Sequence, residues 1–231
     1  MRKLFIISFC GIFFNPVFAQ IKLGIKASPQ FTWENTDSKS VTVDGSRMNI
    51  SAGLVADYFI NDIYSFGTEL SIGTFGGEIN PDSVYITNKS IAAKDLSIDY
   101  KLQYINIPFI IKMRTKEIGY TRFYAEVGLG MSYLFRSKAD ISYAGNTLTN
   151  VDINNPDPSD VLKLDNNGSI SQKVNFFRAS FIGGAGVQYN AFGNTMLVAG
   201  LRYDNAILNF TDEPTWKSRM NFLALHLAVM F

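Results

Sequence analysis

The last stretch of the chain, residues 220–231, reads Met-Asn-Phe-Leu-Ala-Leu-His-Leu-Ala-Val-Met-Phe. Successive side chains of a β-strand point to opposite faces, so every second residue of this stretch lies on one face. That face is apolar throughout and consists of Leu223, Leu225, Leu227, Val229 and Phe231. About ten residues of tilted strand cross a hydrocarbon layer. The stretch therefore predicts a membrane-spanning strand that closes a barrel.

Seven earlier segments alternate in the same way, with bulky apolar residues on one face and glycine, serine or charged residues on the other. They are 21–28, 48–59, 63–75, 96–113, 122–136, 177–189 and 197–204. Together with the last stretch they predict an all-β fold, an eight-stranded antiparallel up-and-down transmembrane β-barrel. A soluble lipocalin-like barrel also has eight antiparallel strands, but it would turn the apolar face inward. Small residues on the charged face favour a narrow polar lumen instead.

Short and long connections alternate along the chain. The short ones are 60–62, 114–121 and 190–194, and the long ones are 32–47, 76–95, 137–173 and 205–217. This order predicts that both termini lie on the short-turn side. Outer-membrane barrels have short periplasmic turns and longer extracellular loops, so we expect periplasmic termini and extracellular long loops.

Aromatic residues near the predicted strand ends indicate two interfacial belts. The residues expected there are Tyr58, Tyr64, Phe66, Phe123, Tyr189 and Phe192 on the short-turn side, and Trp33, Phe75, Phe135, Phe176 and Trp216 on the long-loop side.

The fourth segment changes its apolar phase near Tyr104, which predicts a β-bulge in that strand. Pro108 supports an irregularity there because proline cannot donate to a sheet ladder.

The N-terminus has the features of an export signal. Arg2 and Lys3 are followed by an apolar run and by the small residue Ala19, so residues 1–19 are predicted to be a cleaved signal peptide. The apolar run is too short for a membrane-anchoring helix. Residues 20–231 then form one outer-membrane barrel domain. Cys10, the single cysteine, lies within the signal, so the mature chain has no disulfide.

The charge balance excludes a basic nucleic-acid-binding protein. Arg2 and Lys3 are two of the 21 basic residues, so the mature chain carries 19 basic against 20 acidic residues.

We expect no cofactor and no resident metal. The acidic residues of the longest loop, Asp152, Asp157, Asp160 and Asp165, could bind calcium through oxygen ligands, but their spacing matches no EF-hand. A solvated acidic loop is the simpler interpretation.

The polar face of the strands predicts charged side chains inside the lumen. They are Lys22, Lys26, Asp57, Glu69, Lys112, Arg122, Glu126, Arg178, Arg202 and His226. Buried charges need partners, so we interpret them as a structural ladder of ion pairs; a gated or substrate-binding path is the alternative. His226 is the single histidine. Because no nucleophile elbow or metal motif accompanies it, we expect no catalytic site.

Three segments resemble the PorT-type outer-membrane β-barrel family of the Bacteroidetes. They are the opening 22–27, the segment 102–112 reading Leu-Gln-Tyr-Ile-Asn-Ile-Pro-Phe-Ile-Ile-Lys, and the strand 124–130. The terminal Phe231 resembles the C-terminal assembly signal of bacterial outer-membrane proteins. This resemblance spans the mature chain, and its most distinctive part is the Tyr-x-x-Ile-Pro pattern. It implies an outer-membrane barrel, and for the named member of the family a role in type IX secretion and gliding.

We therefore expect a non-enzymatic integral outer-membrane protein that acts as a scaffold or accessory subunit through its extracellular loops. The alternatives are an outer-membrane hydrolase or acyltransferase and a narrow gated channel, because some small barrels have such activities. The expected partners are outer-membrane lipid, the barrel assembly machinery, and surface or secretion-system proteins.

The terminal aromatic residue gives the first testable prediction. Phe231→Ser is expected to lower the amount of folded barrel in the outer membrane, because the assembly signal ends on this side chain. The measurement is the heat-modifiable band of unboiled membrane samples on a detergent gel. Unchanged levels of that band would contradict a role of Phe231 in assembly.

Overall fold

The computed structural model describes residues 20–36, 41–44, 46–81, 83–86, 89–92, 96–143, 146–154, 174–210 and 217–231. The strands are β1 (Ile21–Thr36), β2 (Val41–Asp44), β3 (Ser46–Phe59), β4 (Tyr64–Pro81), β5 (Ser83–Ile86), β6 (Lys89–Ala92), β7 (Leu96–Asn106), β8 (Phe109–Arg114), β9 (Thr121–Tyr143), β10 (Asn146–Asp152), β11 (Phe177–Asn190), β12 (Met196–Ala206) and β13 (Ser218–Met230). The predicted signal peptide, residues 1–19, lies outside the described residues. None of the described residues belongs to a helix with the length and apolarity needed to span a membrane.

The strands close into an antiparallel ring with eight positions. Its order is β1, β3, β4, β7 with β8, β9, β11, β12 and β13, and β13 pairs with β1 to complete it. The closing pair runs from Gly24↔Met230 to Thr36↔Ser218. The predicted eight-stranded up-and-down barrel is therefore confirmed, and the last strand closes it.

Inward and outward side chains alternate along the ring strands. In β1, Leu23 and Ile25 are exposed on the outside, whereas Lys26 and Ser28 are buried. The same alternation holds in β8, β12 and β13. An outer surface of bulky apolar side chains is stable only against lipid or another apolar surface. The polar face consequently lines the interior, which contradicts the lipocalin-like alternative.

The fourth ring position is irregular, and the structure partly corrects its prediction. The strand is interrupted at Ile107 and Pro108, which separate β7 from β8. The register irregularity lies at Gln103 and Tyr104, but the extra residue is Phe135 on the facing strand β9. The bulge therefore belongs to the fifth position of the ring.

The apolar phase change of the fourth segment has a different cause from the predicted bulge. Ile98, Tyr100, Leu102 and Tyr104 all point inward and are at most 1% exposed. Lys112, also even-numbered, points inward as well. Side-chain direction is thus constant along β7 and β8. What changes is the composition of the interior, whose side chains are apolar toward the long-connection end and charged nearer the short turns.

Several strands extend into segments that the sequence predicts as loops. The strand β4 reaches Pro81 and β9 reaches Tyr143, while β2 and β10 add short strands to their edges. These extensions are rich in glycine, serine and charged residues. They lack the apolar lipid-facing row on which the strand prediction depends, because strands outside a bilayer do not need one.

The aromatic belts follow the prediction with one exception. The six residues predicted for the short-turn side are all exposed. Trp33 stacks on Tyr203 at 5.9 Å between ring centroids near the other end. Phe75 is a wrong prediction, since it points inward and is 1% exposed. Trp216 lies outside the described residues.

The two faces of β13 give a second testable prediction. Leu225→Arg places a cation on the outer surface, and at the membrane midplane this costs about 2–4 kcal/mol. Ala224→Ser is its matched control, because Ala224 points inward and borders a polar cavity. Refolding into lipid vesicles, scored by heat-modifiable mobility, should yield far less folded Leu225→Arg than Ala224→Ser. Equal folded fractions would contradict a lipid-facing Leu225.

Gly128 is unsuitable as a second inward control, although the lumen prediction implies that serine is tolerated there. A Cβ atom at Gly128 would lie 2.2 Å from the backbone oxygen of Phe109 and 2.9 Å from the Cα atom of Ile110. The backbones of β8 and β9 approach too closely for any side chain. We therefore expect Gly128→Ser to be poorly tolerated, contrary to what alternation alone predicts.

Candidate functional site

The barrel interior is the candidate site, and its centre is the guanidinium of Arg202. Arg202 Nε donates to Glu126 Oε1 at 2.7 Å, and Arg202 Nη2 lies 2.9 Å from Glu69 Oε1. Glu69 also forms an ion pair with Lys26. These side chains come from β12, β9, β4 and β1. Since β12 and β4 occupy opposite positions of the ring, the Arg202–Glu69 pair joins opposite walls across the lumen.

A second buried ion pair lies on the side of β8. Lys112 Nζ contacts Asp57 Oδ1 at 2.8 Å and Oδ2 at 3.0 Å. The two side chains are 1% and 0% exposed. Lys112 Nζ also lies 6.0 Å from the ring centroid of Tyr124. Both charges are thus removed from water and are satisfied mainly by each other.

A third ion pair is formed by Arg178 and Asp204. Ser180 Oγ donates to the second Asp204 oxygen at 2.8 Å, and Arg178 Nη2 donates to the backbone oxygen of Met220 at 2.8 Å. The Arg178 guanidinium lies 5.6 Å from the ring centroid of Phe222. The three clusters together place four cations against four carboxylates, so this part of the lumen has no net charge.

His226 lies beside the central cluster. It is 1% exposed, and neither ring nitrogen has a hydrogen-bond partner among the described residues. It borders a cavity of about 30 Å³ that is also lined by Ser28, Glu69 and Arg202. One water molecule needs about 10–15 Å³ of such space. The cavity therefore has room for water but not for a substrate.

Apolar side chains lie on both sides of the ion pairs along the barrel axis. Toward the long connections, Phe75 packs on Tyr104 at 5.3 Å and on Phe222 at 5.5 Å between ring centroids. Toward the short turns, a smaller cluster includes Val55 and Met230. We call these the outer and the inner apolar cluster. The Arg202 pairs lie between these clusters, whereas the Lys112–Asp57 pair lies beside the inner cluster, because Asp57 is two residues nearer the short turn than Val55.

Two of the predicted lumen charges lie elsewhere. Lys22 is partly exposed at the short-turn mouth, and its Nζ donates to the backbone oxygen of Asn194 at 2.7 Å. Arg122 pairs with Glu117 at 2.9 Å in the same region. Hydrogen bonds from the side chains of Asn190 and Arg122 hold the pKa of Glu117 below its usual value. Lys22 and Arg122 thus belong to the mouth, because the first residues of their strands protrude beyond the ion-pair layer.

Three charged interior residues are additional to the predicted set. Asp204 completes the Arg178 pair, Arg114 stacks on Phe59 at the mouth, and Glu34 is 5% exposed near the outer end. The alternation of faces along a strand could have predicted two of them, because residues two positions apart lie on the same face. Asp204 is two positions from Arg202 on β12, and Arg114 is two positions from Lys112 on β8. Glu34 lies in a segment predicted as loop.

Metal ligands are not assembled in the described part of the chain, where no group of three His, Cys, Asp or Glu side chains could hold an ion. Asp152 accepts a hydrogen bond from Ser137 Oγ at 3.1 Å. The other acidic residues of the calcium hypothesis, Asp157, Asp160 and Asp165, lie outside the described residues. The solvated acidic loop therefore stays a prediction, with calcium binding as its alternative.

The Tyr-x-x-Ile-Pro pattern has a definite place in this architecture. It spans the interruption between β7 and β8, where Ile107 N donates to Met131 O at 2.8 Å. Thr68 Oγ1 donates to the oxygen of Pro108 at 2.9 Å. Thr68 thus bonds to the segment where proline interrupts the strand.

Comparison with known families agrees with the ring and its apolar outer face. The model of the outer membrane protein beta-barrel domain family matches residues 16–212. The chain belongs to this family. No curated protein matches it.

Solved structures of outer-membrane barrels are similar to this one at low identity. Neisserial surface protein A (NspA) is 17% identical, with 90% of this chain and 97% of that chain covered at a TM-score of 0.44. Ail, the attachment invasion locus protein of Yersinia pestis, is 16% identical, with coverage of 91% and 98% and a TM-score of 0.42. OprG from Pseudomonas aeruginosa is 7% identical, with coverage of 91% and 95% and a TM-score of 0.45.

The Lys112–Asp57 pair gives a third testable prediction. Lys112→Met leaves a buried carboxylate without its partner, so it should lower the free energy of unfolding by about 3–5 kcal/mol. Adding Asp57→Leu removes that uncompensated charge, so the double variant should be clearly more stable than Lys112→Met alone. Urea unfolding of the barrel in lipid vesicles measures the difference.

The matched control is the partly exposed pair at the mouth. Arg122→Met should change stability by at most about 1 kcal/mol, because solvent screens the Arg122–Glu117 pair. If Lys112→Met were as mild as Arg122→Met, the lumen around Asp57 would have to be hydrated and the sealed interior would be wrong.

Proposed function

We propose that this outer-membrane barrel is a non-conducting scaffold or accessory subunit that acts through the β-structure at its long-connection end. The observation that carries the proposal is the Arg202–Glu69 ion pair, which spans the lumen between opposite strands. A barrel whose interior is occupied in this way offers its outer surfaces for function. The surface with the most structure beyond the ring is formed by the extended strands β4 and β9 with β2 and β10.

A gated channel is less well supported. Conduction requires a continuous polar path, but the ion pairs of Arg202 lie between the outer and the inner apolar cluster. Eight strands also enclose an interior just wide enough for side chains. Opening a path would require moving aromatic residues such as Phe75 and Phe222 and separating the pairs of Arg202.

A hydrolase or acyltransferase is also less well supported. A histidine that acts as a general base must lie within hydrogen-bond reach of the group that it deprotonates. His226 has no hydrogen bond to a serine or carboxylate among the described residues, and it lies inside the barrel rather than at an accessible rim. The cavity beside it has room for about two water molecules.

The proposed orientation places the short turns and both termini in the periplasm and the extended strands outside the cell. It is supported by the general asymmetry of outer-membrane barrels, which have short periplasmic turns. The resemblance of residues 102–112 to the PorT-type family supports an accessory role in secretion or gliding. Surface or secretion-system proteins are then the partners of the β9–β10 hairpin.

Site-specific labelling gives a fourth prediction, which tests orientation. Thr149→Cys introduces a thiol at an exposed position of β10, and Asp62→Cys introduces one at an exposed short turn. Cys10 lies in the predicted signal, so the mature protein contributes no competing thiol. A membrane-impermeant maleimide added to intact cells should label Thr149→Cys and not Asp62→Cys. Labelling of Asp62→Cys alone would show that the barrel has the opposite orientation, with the short turns outside the cell.

The same variant tests the scaffold role. In a strain whose single copy carries Thr149→Cys, a bulky polyethylene glycol maleimide should reproduce the change in secreted proteins or surface motility caused by deleting the gene. The reagent should have no effect on the wild-type strain. A deletion phenotype that persists unchanged after full modification of Thr149→Cys would exclude β10 as the functional surface.

A further inference from the structure

The short-turn mouth of the barrel contains an open concave surface of about 640 Å³. We call it the mouth bowl. It is separate from the outer β-structure of the proposed function. Its lining includes the cations Lys22, Arg114 and Arg122, the carboxylates Asp62 and Glu117, and the rings of Phe59 and Tyr120, so cations exceed carboxylates by one. This volume lies in the usual range of ligand pockets, about 300–1,000 Å³.

The cations of the mouth bowl are incompletely neutralised. Arg122 pairs with Glu117 at 2.9 Å. Lys22 and Arg114 instead donate to backbone oxygens, of Asn194 at 2.7 Å and of Asn61 at 3.0 Å. Within the described part of the chain, neither has a carboxylate at ion-pair distance. This differs from the lumen, where each cation has a carboxylate partner.

Arg114 is held in position although it has no ion-pair partner. It is 7% exposed, and its guanidinium carbon lies 4.1 Å from the ring centroid of Phe59. Its Nε is buried without a hydrogen-bond acceptor among the described residues. The carboxylates of Asp57 and Asp62 attract the Arg114 guanidinium only from beyond ion-pair distance, so its charge is incompletely balanced. An anion in the bowl would supply a direct partner.

We infer that the mouth bowl binds the carboxylate side chains of an acidic peptide segment. Three features favour a peptide over a lipid headgroup. The bowl opens along the barrel axis, because Lys22 and Arg114 lie on the inward faces of their strands. Apolar and aromatic residues such as Phe59, Ile60 and Tyr120 share its lining with the cations. Its volume accommodates several side chains, whereas a single headgroup anion would leave most of it empty.

The inference goes beyond the proposed function, since it concerns the opposite end of the barrel and does not depend on β10. In the proposed orientation the bowl faces the periplasm. The partner would then be a periplasmic or inner-leaflet-anchored protein with an acidic linear segment. Binding in the purified barrel is independent of that orientation, so the two proposals can fail separately.

The test uses the purified full barrel in phosphatidylcholine nanodiscs and a fluorescein-labelled hexaglutamate peptide. Fluorescence anisotropy should show binding that weakens with added salt, while a hexalysine peptide should not bind. Lys22→Gln should weaken the hexaglutamate affinity by about fivefold, the scale of a partly exposed ion pair. Lys116→Gln is the matched control, because Lys116 is an exposed cation of the same mouth region that does not line the bowl.

Each variant is first shown to be folded by its heat-modifiable mobility. Equal affinities of wild type, Lys22→Gln and Lys116→Gln would overturn the inference, as would the absence of hexaglutamate binding. Repeating the measurement in phosphatidylglycerol nanodiscs separates the two sources of anion. Unchanged peptide affinity supports the peptide site, and complete loss of peptide binding would assign the mouth bowl to lipid headgroups instead.

Discussion

The interaction on which the interior depends is the bridge from Arg202 to Glu69 and Glu126. It connects opposite walls of a narrow ring, and Lys26 completes the charge balance on Glu69. Charges removed from water persist only when they are paired and hydrogen-bonded. The apolar clusters on both sides separate these pairs from bulk solvent. The same arrangement that makes the lumen electrically neutral therefore also obstructs it.

If the lumen does not conduct, as proposed, the two ends of the barrel are its functional surfaces. At the long-connection end, β4 and β9 continue past the lipid-facing rows and carry β2 and β10 at their edges. At the short-turn end, Lys22 and Arg114 form an incompletely neutralised concave surface. The ends thus differ in chemistry, one being an extended β-surface and the other a basic bowl.

The ring and its polarity could be predicted from the sequence because lipid imposes a strict pattern. An apolar row such as Leu223 to Phe231 has one stable direction in a bilayer, and the alternation then determines which side chains lie inside. The strand extensions in β4 and β9 could not be predicted in this way, since no lipid selects their outer face. The inward direction of Phe75 and Tyr100 could not be predicted for a related reason. They are apolar but point inward, because the outer cluster replaces the polar lumen there.

The alternation of faces along each strand predicts that most of these charged residues lie inside the barrel. It does not predict which of them form ion pairs, and only the three-dimensional structure shows that. The partner of Arg202 lies 133 positions away on the opposite wall, and no sequence pattern indicates that contact. Asp204 is two residues after Arg202 on β12 and lies on the same face, so its inward direction could be predicted in the same way. The separation of Lys22 and Arg122 from the lumen depends on how far each strand protrudes, which alternation does not specify.

The most direct test of the sealed lumen is the electrical conductance of the purified barrel in a planar lipid bilayer. After insertion has been verified by heat-modifiable recovery from the same membrane, the account predicts no steady current steps above the background of the bare bilayer. Reproducible open steps whose ion selectivity changes in the Lys112→Met/Asp57→Leu variant would contradict it. Such steps would show a continuous path through the charged centre and past both apolar clusters.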